Sequence, residues 1–260
     1  MPGIKDAKCI LVIGATAGLG RALALALHDL ESKPTVIAVG RRHERLDELA
    51  QTRDRIKTFR ADMNVDEQGI RAFVQSVLSS YPDVDAILFV SGVQHLLDFK
   101  KPENIDLKAF DDELNINYLA LTKTFMLFLP HLLKLSEEGR CSFLVPVTSS
   151  LAIVPGAPVP GYSATKAAVR SFTQSLRVQL DDTKIKVMEI VPPLVESELH
   201  DHQGTTPALS KFSMPLADLV RGDDDIAVGN AELVRQKFEV GKYEAAAKLY
   251  HSSLGSAAKD

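Results

Sequence analysis

Tyr162 and Lys166 stand four positions apart in Tyr162-Ser-Ala-Thr-Lys166, a spacing that puts a phenol and an ammonium on one helical face. A cation beside a phenol favours the phenolate and draws its pKa down from the usual value of about 10. A tyrosine tuned in this way gives or takes a proton at neutral pH. Ser149 precedes it at the end of an apolar run, with Ser150 beside it. A hydroxyl there can hold a substrate oxygen, and the sequence leaves open which serine points inward. Taken alone, Tyr-x-x-x-Lys is an ordinary helix face. It gains weight from a second feature, Gly14-Ala-Thr-Ala-Gly18-Leu-Gly20-Arg21, placed between an apolar run and a helical segment. Glycines let the backbone turn tightly and approach a pyrophosphate, and the following helix offers free N–H groups to that anion.

Further along, Val39-Gly40-Arg41-Arg42 has two arginines where an NAD-binding chain would place an acidic residue for the ribose 2′-OH. Guanidinium forks suit a 2′-phosphate, so NADP(H) is expected over NAD(H). Asp62, after the next apolar run, is a loop carboxylate or an acceptor for an adenine amino group.

These residues must be positioned by alternating elements. Cys9–Ile13, Thr35–Val39, Ile56–Arg60, Val84–Val90, Ser142–Val147 and Ile185–Val191 read as strands. They are near-continuous apolar runs, as in a parallel sheet covered on both faces. Leu19–Leu30, Glu44–Gln51, Asp66–Ser80, Asp106–Leu135 and Ser163–Leu180 read as helices. Alternation of this kind predicts an α/β fold, a doubly wound Rossmann-type sheet, mostly parallel, with helices on both faces. No linker divides residues 1–260, so a single domain is expected. Within it, 197–224 is expected to form a substrate lid, and 225–260 a last strand at Ile226–Val228 and a helix around Tyr243–Ser252.

Composition excludes several classes. The chain is 45% hydrophobic and 25% charged with a net charge of −4, which gives no basic surface for nucleic acid. Cys9 and Cys141 lie in apolar runs and read as reduced core residues. The N-terminus lacks the apolar stretch of a secretory signal. Leu119–Leu135 is interrupted by Lys123, Pro130 and His131 and reads as a buried helix, not a membrane span. A cytoplasmic protein with no membrane partner is expected. That helix carries more apolar residues than one core stripe requires, which predicts a homo-oligomer. His200 and His202 read as solvated lid residues, not metal ligands.

With these motifs in place, the sequence resembles the short-chain dehydrogenase/reductase family from residue 8 to about 200. The resemblance rests on the Gly14–Gly20 turn, the serine ahead of Tyr162-x-x-x-Lys166, Asn117 in Leu114-Asn-Ile-Asn117-Tyr-Leu-Ala120, and Val191-Pro192-Pro-Leu-Val195-Glu-Ser197. It implies that Tyr162 is the general acid/base. Lys166 would bind the nicotinamide ribose and lower the tyrosine pKa, and Ser149 would orient the carbonyl. Asn117, not Asn115, would hold a water that relays protons to Lys166. Implied cofactor contacts are Gly14, Thr16, Ala17, Gly18, Leu19, Gly20, Arg41, Arg42, Asp62, Met63, Ser91, Gly92, Tyr162, Lys166 and Pro192, with Val195 and Ser197 on the carboxamide. The resemblance also implies a homodimer or homotetramer packed through the Leu119–Leu135 and Tyr162 helices. Two departures go together: Ile13 replaces the family's threonine, and Phe89-Val90-Ser91-Gly92 replaces Asn-Asn-Ala-Gly. A paired exchange of polar for apolar groups is nearly neutral, unlike loss of one partner.

The expected activity is hydride transfer between NADP(H) and a ketone, aldehyde or secondary alcohol. Leu209, Phe212, Met214 and Leu216 in the expected lid favour a fairly apolar carbonyl compound. Two other readings compete: a catalytically weakened NADP(H)-binding protein of the same fold, and a sugar-nucleotide epimerase or reductase. The latter usually has a longer C-terminal substrate domain than the sixty or so residues that follow Val195.

Overall fold

The computed structural model describes residues 2–193, Leu199, 225–227 and Gln236. Apart from Leu199, the expected lid with its two histidines and Ser197, together with Val195 and the Tyr243–Ser252 helix, lies outside the described residues.

Six parallel strands form the main sheet: β1 (Cys9–Ile13), β2 (Thr35–Gly40), β3 (Ile56–Arg60), β4 (Ala86–Phe89), β5 (Ser142–Pro146) and β6 (Ile185–Val187). Their order is β3-β2-β1-β4-β5-β6. The order reverses direction between β1 and β4, and in open α/β sheets ligands bind in the crevice at the carboxyl ends of strands at such a switch. All residues of β1, β4 and β5 are buried, which accounts for their unbroken apolar sequence. One core face joins the sheet to α3 (Glu67–Ser80), α5 (Leu121–Glu137) and α6 (Pro160–Gln179). The other joins it to α1 (Gly18–His28) and α2 (His43–Thr52).

Two expected elements divide. The sixth strand breaks at Met188: Ile185–Val187 stays in the main sheet, while β7 (Glu189–Val191) pairs in parallel with β8 (Asp225–Ala227). The last strand thus starts one residue earlier than expected. The long helical region becomes α4 (Leu107–Leu114), a π-helical stretch at Asn115–Ala120, and α5. By length and apolar composition, Leu107–Glu137 would suffice to cross a membrane. Phe125, Phe128, Leu132 and Leu135 nonetheless turn into the core beside the sheet. Helix α6 begins at Pro160, three residues ahead of expectation, because proline suits a helix's first turn. Cys9 lies in β1 and Cys141 just ahead of β5, and both are free thiols.

Ile13 and Phe89 sit directly opposite each other in the β1–β4 register, both buried in one cluster. The two positions that depart from the family pattern therefore meet as an apolar pair.

Candidate active site

Strand β1 ends at Ile13, and the chain turns through Gly14 at φ 98°. A side chain at Gly14 would stand 2.6 Å from the backbone nitrogen of Ser91, beyond β4. The close approach of the two strand ends therefore needs glycine there. Helix α1 follows with Ala17 as N-cap and no capping side chain. Its first N–H groups are left for another acceptor, which suits an anion.

From this turn a cleft of about 910 Å³ runs along the carboxyl ends of the strands. It is lined by Gly14, Thr16, Ala17, Gly18, Leu19, Gly20, Arg41, Arg42, Asp62, Met63, Ser91, Gly92, Ser149, Ser150, Tyr162, Lys166 and Pro192. All the site residues expected from sequence are there except Asn117 and the two outside the described residues. At one end Arg42 donates to the Thr16 hydroxyl through Nε at 3.3 Å and Nη2 at 3.1 Å. Arg41 Nη1 lies 3.9 Å from Asp62 Oδ2, and Asp62 Oδ1 accepts from the Asn64 backbone at 2.9 Å.

At the other end stand Ser149, Tyr162 and Lys166. Ser149 caps a short 3-10 turn, its Oγ accepting from Leu151 N at 3.1 Å. Its hydroxyl also bonds the Tyr162 side chain, so Ser149, not Ser150, is the serine that meets the phenol. Lys166 Nζ donates to Val147 O at 2.8 Å and lies 5.5 Å from the Tyr162 ring centroid. The cation thus faces the ring. Burial pushes the Tyr162 phenol up to about 12, against the pull of the Ser149 hydrogen bond; the Glu113 charge adds to the rise. Burial also brings the Lys166 ammonium down to about 8, and Glu113 opposes that shift. This departs from the expectation that Lys166 lowers the tyrosine pKa. Withdrawal from water is the largest effect on the phenol.

Asn117 is fully buried and does not line the cleft. Its Oδ1 accepts from Val93 N at 2.9 Å, and its Nδ2 donates to Val93 O at 2.8 Å and Thr165 Oγ1 at 3.2 Å. Both ends of the amide serve the protein, so this side chain fixes the turn after β4 and gives no support to the expected water-holding role. Gly92 lies against it: a Cβ there would stand 3.2 Å from Asn117 Oδ1 and 3.7 Å from Lys166 Nζ. Asn115 instead donates to Asn64 Oδ1 at 2.8 Å.

The sequence reading passed over His95, which lines the same cleft, and Glu113 behind it. The available signal was an acidic residue four positions ahead of Asn117, on the helix face that turns inward.

Comparison with known proteins bears on this arrangement. The family model described as short chain dehydrogenase matches residues 8–208. The uncharacterized oxidoreductase DltE of Bacillus subtilis is 38% identical over 201 residues, covering 76% of this chain and 77% of its own. The NADP-dependent 3-hydroxy acid dehydrogenase YdfG of Salmonella typhi is 29% identical, covering 72% of each chain. Among solved structures, 3-ketoacyl-(acyl-carrier-protein) reductase from Brucella melitensis, complexed with NADH, is similar with a TM-score of 0.68 at 25% identity. That similarity covers 75% of this chain and 78% of the other.

Proposed function

The chain belongs to the short-chain dehydrogenase family and is an oxidoreductase, and from that premise we propose that it reduces a carbonyl compound with NADPH as the preferred cofactor. The observation that carries this reading is the convergence of Ser149, Tyr162 and Lys166 at one end of the cleft that the Gly14–Gly20 turn opens.

The residues present fit a nicotinamide dinucleotide. The uncapped N-terminus of α1 would take its pyrophosphate, and Arg41 and Arg42, with no carboxylate in their place, would take a 2′-phosphate. Lys166 and Pro192 would hold the nicotinamide end. When bound, the dinucleotide supplies the hydride. Tyr162, protonated at neutral pH, donates its proton to the substrate oxygen. The Ser149 hydroxyl bonds the same oxygen and orients it. Lys166, anchored on Val147 O, places positive charge beside the ring where negative charge develops. NADPH preference also has support from the NADP-dependent relative YdfG. By the family's habit of assembly, the protein forms a homodimer or homotetramer. It works in the cytoplasm on a small-molecule substrate.

The test is loss of nicotinamide absorbance on mixing the purified chain, NADPH or NADH, and a panel of ketones, aldehydes, oxo acids and quinones. Turnover with NADPH well above that with NADH is expected. No turnover of any carbonyl, with NADPH bound, would favour the non-catalytic binding protein instead.

A further inference from the structure

Glu189 is the one acid in the run Val187–Val191, the first residue past the break at Met188, and it is fully buried. Arg170 Nη1 donates to its Oε2 at 2.6 Å, and the Thr148 hydroxyl donates to its Oε1 at 2.5 Å. Arg170 and Thr148 are buried as well. The chemistry above leaves all three without a task. Burying an ion pair withdraws two charges from water at a cost that their attraction often fails to recover, and a well-packed apolar pair in the same space is often at least as stable. Stability alone therefore gives no reason for the pair.

Its place in the fold does give one. Tyr162, Lys166 and Arg170 follow at four-residue intervals along one buried face of α6. Val147, Thr148 and Ser149 are three consecutive residues just past β5. Lys166 Nζ donates to Val147 O at 2.8 Å, and the Ser149 hydroxyl bonds the Tyr162 side chain. Thr148, between them, reaches Arg170 through Glu189. Each residue of the strand end is thereby tied to one turn of the helix. The backbone N–H of Thr148 also donates to Ile190 O at 2.9 Å, which fixes the distance between the strand ends. A charge-assisted bond to the side chain adds control of its rotation. Ser149 is extended, at φ −167° and ψ 157°, and side chains alternate along extended backbone. A turn of Thr148 therefore swings the Ser149 hydroxyl relative to the phenol.

We propose that Arg170 and Glu189 are positioning residues: the buried pair holds the Thr148 side chain and through it sets the Ser149 hydroxyl against the Tyr162 phenol. Neither Arg170 nor Glu189 lines the cleft, so both act through Thr148. The effect on turnover rests on the hydride-transfer reading of the cleft; the placement of the hydroxyl does not.

The direct readout needs neither cofactor nor turnover. Carbon NMR of the chain with tyrosine isotope-labelled at Cζ, the ring carbon that bears the hydroxyl, gives one signal for each of five tyrosines. The signal lost in Tyr162→Phe is that of Tyr162, and Ser149→Ala marks its position once the serine bond is gone. Thr148→Val exchanges the hydroxyl for a methyl of similar shape and should move the Tyr162 signal toward that position. Thr148→Ser keeps a hydroxyl and should leave the signal near its unmodified place. Arg170→Met combined with Glu189→Leu removes both charges at once, so no lone charge stays buried. It should move the signal as Thr148→Val does while unfolding in urea close to the unmodified chain. A Tyr162 signal unmoved in Thr148→Val and in the double variant overturns the proposal. Steady-state rates give the second readout, at saturating NADPH with a carbonyl of the panel that is turned over. Thr148→Val should lower kcat roughly tenfold, as a small misplacement near the reacting groups does, with KM for NADPH little changed. In a Ser149→Ala background the same substitution should cost less than about twofold, because its route is already gone. A merely structural fault would cost the same factor in both backgrounds, which would overturn the proposal. If no carbonyl is reduced, the hydride-transfer reading fails, and the NMR comparison still decides the placement.

Discussion

Lys166 keeps an ammonium at 3% exposure, and that has a consequence for stability. Its pKa in the fold, about 8, lies below the usual 10.5, so the unfolded chain binds the proton more tightly. The stability this group contributes is present above pH 10.5, is lost as pH falls toward 8, and stays lost below. Lys166→Met should therefore stabilise the cofactor-free protein at pH 7 by about 2 kcal/mol, after the lost bond to Val147 is counted. The gain should vanish toward pH 10.5. Urea unfolding across pH checks this; a variant less stable at pH 7 would contradict it. Ser149 and Ser150 offer a second comparison, since both line the cleft but Ser149 bonds the phenol. Ser149→Ala should cut turnover at least tenfold more than Ser150→Ala in steady-state assays, with smaller effects on NADPH affinity. The spacing of Tyr162 and Lys166 was legible in sequence because it is local. The direction of their pKa shifts was not, because burial belongs to the packed fold. The His95–Glu113 pair was hidden for the same reason, as its partners come from a loop and a helix eighteen positions apart that only the packed fold brings together.

At the scale of elements, the sheet was readable because each strand is buried on both faces and shows it as an apolar run. The break at Met188 was not, since Ile185–Val191 is one apolar run and only its pairing with Asp225–Ala227 separates β7 from β6. The π-helical stretch was equally invisible, because its residues continue the helical pattern on either side. The Ile13–Phe89 pair shows how a departure from a family pattern is absorbed across two strands. Ile13→Thr should restore only one polar partner, leaving a buried hydroxyl against Phe89. A loss of about 1–3 kcal/mol in urea unfolding is expected, larger than for Ile13→Val. Equal stability of Ile13→Thr and the unmodified protein would show that the apolar pair is not a unit.

For the whole molecule, the apolar surplus read from Leu119–Leu135 resolves into two populations. Phe125, Phe128 and Leu132 fill the core, while Met126 and Leu133 remain exposed on α5, with Leu107, Phe110 and Leu114 exposed on α4. An outward apolar set of this kind is suited to a second copy of the chain. Light scattering at micromolar concentration should give at least twice the chain mass of 28.4 kDa, and a mass of one chain would remove the oligomer from the account. The fold, the cleft and the family stand apart from that outcome, and so does the chemistry proposed for the cleft. That chemistry depends on one hydroxyl. Tyr162→Phe keeps the ring, its packing and the Lys166 contact, and deletes only the group that carries the proton. NADPH affinity, measured by fluorescence titration, should be retained while carbonyl reduction falls by roughly 10²–10⁴-fold, the usual contribution of a general acid; near-normal turnover in that variant would contradict the mechanism.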